Sequence, residues 1–379
     1  MKAMQVLFLM PKYEIGGITI SLYSLLSIMN PNRIKADIFA APIGPYKGKM
    51  PHCTELPQNI WLSYPYIGGG FFIRMFQILV YGLRYALSKI HINILPLIYW
   101  LGGKSMHTEK YDAVVCFSEG MAYMASSFPA KKLIQWIHCD YRRHLETNNP
   151  KFEYYAYKRY DTVVCVSDFV KHVFSEIYPE FANKTMAIHN VINVEDIRSK
   201  GKDDNDYDGR FKTDVFTIVS CGRLDPIKGF NKIPMLANQV KSLSNKAFRW
   251  YIIGGGFAEE QHRIEEEIKK YNLMEFVILL GSKINAYPYI AKANLYVCTS
   301  ESESFPLVVN EAKALSVPVI SNIFPSVYES LEEGVDGYVV PLDEMPEKIA
   351  DFMYNPLKVP AGRIDNTESL NAIYKLFEA

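Results

Sequence analysis

Short runs of β-branched and aliphatic residues, each closed by a turn and followed by a stretch of helical period, recur along the whole chain. Parallel strands need a crossover between them, and a helix supplies it, so the pattern predicts an α/β fold. Six runs lie in the first half: QVLFLM, ADIFAAP, AVVCFS, KLIQWIH, TVVCVS and KTMAIHN. Six more follow in the second: VFTIVSCG, RWYIIGG, FVILLG, LYVCTS, VPVIS and GYVVP. Between the halves, SKGKDDNDYDGRFKTD (199–214) has no apolar period and reads as an exposed connection near a domain boundary. Its acids Asp203, Asp204, Asp206 and Asp208 lack the spacing and closing glutamate of a calcium loop.

Length agrees with two halves, since 379 residues suffice for roughly two domains with their own cores. Hydrophobic residues at 49% and charged ones at 22% exclude a disordered chain. Forty-one basic residues balance forty-one acidic ones, which removes the broad positive field of a nucleic-acid binder. Any bound anion must be held by local groups. Cys53, Cys116, Cys139, Cys165, Cys221 and Cys298 form no close pair of the kind that ligates zinc or shuttles electrons. Cys116, Cys165, Cys221 and Cys298 sit in apolar runs, as small buried hydrophobes do. A reducing, cytosolic compartment is expected, because VLFLM is too short for a signal-peptide core and no small-residue cleavage site follows it.

Residues 67–101 are apolar and aromatic yet interrupted by Arg74, Arg84, Lys89 and His91, so no uncharged run reaches the ~20 residues of a spanning helix. Two readings stand side by side: a surface lying in the lipid headgroup zone, or ordinary core helices. Tyr154, Tyr155, Tyr157 and Tyr160, interleaved with Lys151, Lys158 and Arg159, extend that surface or line a partly solvated helix.

In an open parallel sheet, loops leaving the carboxyl ends of the strands gather at one edge, and polar residues just after strands are the first candidates for ligand contact. After the first run, Gly16 and Gly17 precede a helical pattern; they would admit a ligand to the backbone, or simply make a tight turn. IVSCGRLDPIKGF places Arg223 and Lys228 just past a strand, spaced to clamp one diphosphate. SESESFPLVVNEAKA places Glu303 before a helix expected to begin near Phe305, with Pro306 in its first turn and Glu311 about two turns in. Both carboxylates could then address one extended ligand.

GRLDPIKG, YIIGGG, VILLGS and above all Glu303-x7-Glu311 resemble the C-terminal half of retaining nucleotide-sugar glycosyltransferases of family 4, which have the GT-B fold. The likeness is close over 215–345 and looser at the glycine pair, WIHCD, VSDFVK and IHNVINVED. It implies two Rossmann-like domains with parallel sheets facing a central cleft: an acceptor domain over 1–193, and a donor domain over 194–379 whose last helix returns to the first. It implies that Arg223 and Lys228 bind the diphosphate, with Gly16 and Gly17 opposite. Glu303 would meet the donor sugar, Glu311 the ribose, and His138 the reacting face. Ser304, Phe305, Leu307, Val308 and Gly255 would line the nucleotide, and Lys283 and Ile284 the base. No metal or other cofactor is implied.

The chain departs from the family pattern at Ser304 and Pro306, where glycines are usual, at Cys139, which separates His138 from Asp140, and at Asn190-Val191. Pro306 removes one N–H from the pocket and shifts phosphate contact to Leu307 and Val308. The run at 254–256 does not complete G-x-G-x-x-G, which argues against a nicotinamide dinucleotide. The expected activity is retaining transfer from a UDP-sugar, ahead of a GDP-sugar, to a lipid-linked or polysaccharide acceptor, with peripheral association at the cytoplasmic face of a membrane. The alternatives are a non-catalytic partner subunit of a glycosyltransferase, and a phosphorylase or epimerase on the same fold.

Overall fold

A computed structural model describes residues 3–10, 16–40, 93–105, 107–147, 150–203 and 208–378, with single positions between 75 and 89. All twelve β-branched runs become strands. The first sheet holds β1 (Met4–Met10), β2 (Ile34–Ala40), β3 (Ala113–Cys116), β4 (Leu133–Ile137), β5 (Thr162–Cys165) and β6 (Thr185–Ala187). The second holds β7 (Phe216–Cys221), β8 (Phe248–Ile253), β9 (Val277–Gly281), β10 (Leu295–Cys298), β11 (Val319–Ser321) and β12 (Gly337–Val339). Every pairing is parallel.

The sheets run in the orders β2-β1-β3-β4-β5-β6 and β12-β11-β10-β7-β8-β9. The second is the dinucleotide-fold order 3-2-1-4-5-6 read from its own first strand, and its order reverses between β7 and β10. In the first sheet the reversal lies between β1 and β3. These are the places where neighbouring loops part and leave a crevice.

The chain divides into two compact units, Met1–Val191 with Thr367–Ala379, and Ile192–Asn366. Successive strand residues in the second unit alternate between two cores. Ile218, Trp250, Ile252 and Val297 face one; Val219, Tyr251, Ile253 and Tyr296 face the other. Both faces are covered, which is why these strands read as unbroken hydrophobic runs instead of alternating ones. In the first unit the helix Thr367–Glu378 packs on residues from the other end of that unit. Phe377 meets Phe8 edge to face, Tyr374 accepts a hydrogen bond from the Asn30 N–H at 2.9 Å, and Glu378 pairs with Arg33 at 2.7 Å.

Three sequence expectations are corrected. Tyr157 and Tyr160 are core residues, because their hydroxyls find buried partners in Tyr141 and the Ala122 carbonyl; Tyr155 is exposed and Tyr154 half-buried. Cys221 is only part-buried, since β7 ends there, whereas Cys116, Cys165 and Cys298 are buried. The polar run 199–214 is not all linker: the helix Val194–Gly201 covers its start and Phe211 is buried in the second core, the units parting instead at 191/192. Asp204, Asp206, the segment 67–74 and Cys53 lie outside the described residues.

Within the first unit, buried Glu153 accepts a hydrogen bond from Tyr141 and lies 2.6 Å from His144 Nε2. Burial pushes the His144 pKa down, but the hydrogen bond and charge of Glu153 outweigh it and leave the imidazole above its ordinary value. The resulting stability is fully present below the ordinary histidine value of 6.5 and is lost as pH rises through the raised one. Thermal midpoints should therefore fall across that window, and His144→Gln should flatten the slope.

Candidate functional site

β7 and β10 lie side by side, with Leu295 opposite Ile218 and Tyr296 opposite Val219. Their outgoing loops are far apart in sequence but meet at the order reversal. After β7, Asp225 accepts from the Ile227 N–H and starts a 3-10 turn, Pro226–Lys228. Gly229 then turns at φ +66°, where a Cβ would stand 2.4 Å from the Thr299 carbonyl oxygen. Only glycine lets the two loops come this close. They are stapled by three further bonds: Thr299 Oγ1 to the Lys228 carbonyl at 2.7 Å, the Glu301 N–H to the Ile227 carbonyl at 2.8 Å, and Lys232 to Glu301 at 2.6 Å.

These staples bring Lys228 Nζ to 2.5 Å from Glu303 Oε1. Ser300 Oγ donates to the same oxygen at 2.6 Å, and Ser326 Oγ donates to the Glu303 carbonyl at 2.6 Å. Burial would lower the Lys228 pKa, but Glu303 reverses the sign and keeps the ammonium charged. Arg223 stands close enough for its charge to oppose that of Lys228; its guanidinium is largely exposed and pairs with Asp225 at 2.7 Å. Two cations and a carboxylate thus share one edge of the sheet.

The helix predicted from Phe305 begins at Leu307 and runs to Ala314, with Pro306 as its cap residue. The proline, lacking an N–H, occupies the last non-helical position. The Leu307 N–H is taken by the Phe305 carbonyl at 2.9 Å, while the Val308 N–H has no acceptor among the described residues. Glu311 is buried and accepts a hydrogen bond from Tyr287 at 3.1 Å. Burial pushes its pKa up to about 7, against the opposing pull of Tyr287, Lys200 and Lys228. Cys221, beside Glu311, is pushed up to about 12 by burial first and that neighbouring charge second.

The glycine run supports the β7 loop. Gly254, at φ +154°, would place a Cβ 1.7 Å from the Gly222 carbonyl oxygen. The Gly255 carbonyl accepts from the Leu224 N–H at 2.9 Å, which fixes the backbone on either side of Arg223. Lys283 does not point freely outward: it pairs with Asp208 at 2.7 Å, while Ile284 is 90% exposed. Ser304 and Phe305 are half-buried beside Glu303.

In the first unit, Gly16 is extended and a Cβ there would meet nothing, so no tight turn demands glycine; both Gly16 and Gly17 are exposed ahead of the helix Gly17–Ile28. His138 follows β4. Its Nε2 is buried without a partner among the described residues, and burial pushes its pKa down to about 3, so the ring is neutral at pH 7. No sequence signal marks Glu119, a buried carboxylate just past β3 that accepts from the N–H groups of both His138 and Cys139. Tyr287 was equally unmarked. Ser300 could have been read from its position three residues before Glu303, a spacing that lets a hydroxyl reach back along a turn.

Residues 202–367 match the family described as Glycosyl transferases group 1. An uncharacterized glycosyltransferase of Methanocaldococcus jannaschii, MJ1059, is 29% identical over 169 residues, which are 44% of this chain and 41% of that protein. A Campylobacter jejuni protein is 31% identical over 137 residues, 36% of this chain and 34% of its own length; it is named N-acetylgalactosamine-N,N'-diacetylbacillosaminyl-diphospho-undecaprenol 4-alpha-N-acetylgalactosaminyltransferase. The chain therefore spans half or less of the length of these relatives. Among solved structures, Alr3699/HepE of Anabaena in complex with UDP superposes with a TM-score of 0.66 at 16% identity, covering 98% of this chain and 95% of that one. At that identity the likeness is one of fold. The chain carries two α/β units with the GT-B fold of these structures, and its residues 202–367 match the glycosyl transferases group 1 family.

Proposed function

We propose that this chain is a glycosyltransferase that moves a sugar from a nucleotide diphosphate sugar, a UDP-sugar ahead of a GDP-sugar, to a saccharide acceptor, with retention at the anomeric carbon and without a metal. The observation that carries this reading is the Lys228–Glu303 pair at the β7/β10 reversal, with Arg223 beside it. Lys228 keeps one of its three donors on Glu303 and gives another to a phosphate oxygen as the donor binds, holding it more tightly as negative charge grows on the departing diphosphate. Glu303 Oε1 is already occupied by Lys228 and Ser300, so Oε2 is the oxygen that accepts from a sugar hydroxyl. The bond from the anomeric carbon to the diphosphate breaks, the acceptor oxygen bonds the same carbon on the same face, and a phosphate oxygen takes the acceptor proton. No protein nucleophile is needed.

Glu311 takes the ribose hydroxyls, with Tyr287 fixing its other oxygen. The UDP complex of the Anabaena structure supports a uridine donor, and the diphospho-undecaprenol in the name of the Campylobacter relative supports a lipid-linked acceptor used in polysaccharide assembly at the cytoplasmic face of a membrane. Calorimetric titration tests the donor reading. UDP should bind more tightly than GDP. Its affinity should rise roughly tenfold from about pH 6 to about pH 8 as Glu311 ionises, because only the carboxylate accepts two hydroxyl donors. Glu311→Gln should remove that rise. Failure of both nucleotides to bind, or loss of transfer in EDTA, would overturn the corresponding part of the proposal.

A further inference from the structure

Past the end of β4 the backbone leaves the ladder. The Ile137 carbonyl still accepts from the Val166 N–H, but the N–H groups of His138 and Cys139 bond no strand, and Glu119 takes both. Both bonds end on one oxygen, Oε1, the one from Cys139 at 3.0 Å, and Glu119 is buried. Two residues earlier on the same loop, the Phe117 ring lies 4.4 Å from the His138 ring, centroid to centroid, backed by Phe8 and Trp136. The Phe117 N–H bonds the Leu9 carbonyl at 2.9 Å, which ties this loop to β1 at the order reversal of the first sheet. One short segment therefore fixes His138 twice, its backbone through Glu119 and its ring through Phe117.

Such fixing exceeds what a strand end needs. A hydroxyl or a neutral amide satisfies two N–H groups at a smaller desolvation cost than a buried carboxylate, whereas bonds to a charged acceptor are shorter and hold the backbone more firmly. At the same time the His138 Nε2 is covered and has no partner among the described residues, and burial keeps the imidazole neutral at pH 7. A histidine that served the core alone would pair that nitrogen with a neighbour. One held rigid with a nitrogen unpaired is arranged for a polar group that arrives from outside.

We propose that Glu119 is a positioning residue of the transfer reaction: it locks the His138–Cys139 backbone so that the imidazole Nε2 is presented to a hydroxyl of the bound saccharide. This rests on the glycosyltransferase reading and on the place at the reacting face that the family likeness implies for His138. Glu119 itself touches no reacting atom, so its loss falls on turnover and leaves nucleotide affinity as it was.

Glu119→Met keeps the side-chain volume and removes the acceptor, whereas Glu119→Gln keeps an oxygen that can accept both N–H groups. Glu119→Met should lower kcat about tenfold at unchanged UDP affinity, and Glu119→Gln should stay within about threefold of the parent. Added to His138→Ala, Glu119→Met should cost less than about twofold more, because its effect passes through the ring. A second readout needs no donor. In protein carrying nitrogen-15-labelled histidine, the His138 ring, assigned by its loss in His138→Ala, should be neutral at about pH 5 in the parent and in Glu119→Gln; in Glu119→Met, whose freed loop lets water reach it, it should be protonated. Glu119→Asp, which draws the acceptor back by one carbon, should move both readouts the same way, and decides the matter if Glu119→Met does not fold. Parental kcat with a neutral ring in Glu119→Met, an undiminished loss in the His138→Ala background, or Glu119→Gln as impaired as Glu119→Met overturns the proposal. A parent that binds neither UDP nor GDP would fault the donor reading alone, and the ring's protonation would still decide what Glu119 does.

Discussion

Lys228→Ala is expected to lower turnover by at least a hundredfold, about 3 kcal/mol of lost transition-state stabilisation. The ammonium stands on a loop joined to its neighbour by three stapling contacts and, in the proposed reaction, faces an anion whose charge grows, so its loss falls on the chemical step more than on binding. Glu303→Ala should cost as much, because Lys228 then loses the carboxylate that places it and the donor sugar loses an acceptor. The two share one contact at 2.5 Å, and their effects should not add. Steady-state rates of the two single variants and the double variant measure this directly. A double variant close to either single one fits the pair acting as a unit; multiplication of the two losses would mean that each residue works alone.

Gly254→Ala should destabilise the second unit by at least about 3 kcal/mol, read from urea denaturation. The positive φ is unfavourable for any side chain, and the added carbon would overlap the Gly222 carbonyl at 1.7 Å, inside the loop that carries Arg223. Relief requires the β7 and β8 loops to part, breaking the bond between Leu224 and Gly255. Gly209→Ala is the matched control. A Cβ there meets nothing within 4 Å, and its midpoint should stay near that of the parent.

The central strands were legible because both their faces are buried, and continuous burial writes itself as unbroken apolar runs. The places of Lys228 and Glu303 just past strands were legible, but their direct pairing was not, because it depends on β7 and β10 lying side by side in the sheet. Tyr157 and Tyr160 were misjudged because a tyrosine beside lysines looks the same whether its hydroxyl meets water or a buried carbonyl. The helix after Glu303 starts two residues late because Pro306, compatible with a first turn, serves as the cap instead. Glu119 carried no signal, since its role is to satisfy backbone N–H groups contributed by a different strand end. Contacts of that kind follow from three-dimensional closure and leave no local spacing to read.

The helix Thr367–Glu378 belongs to the unit that the chain begins, so the order of biosynthesis matters. A ribosome delivers Phe8 and Arg33 long before Phe377 and Glu378, which cover them. The later unit can close on itself while its predecessor still waits for a missing piece. Until Thr367–Glu378 has been made, a nascent chain must therefore keep that uncapped surface from sticking to others.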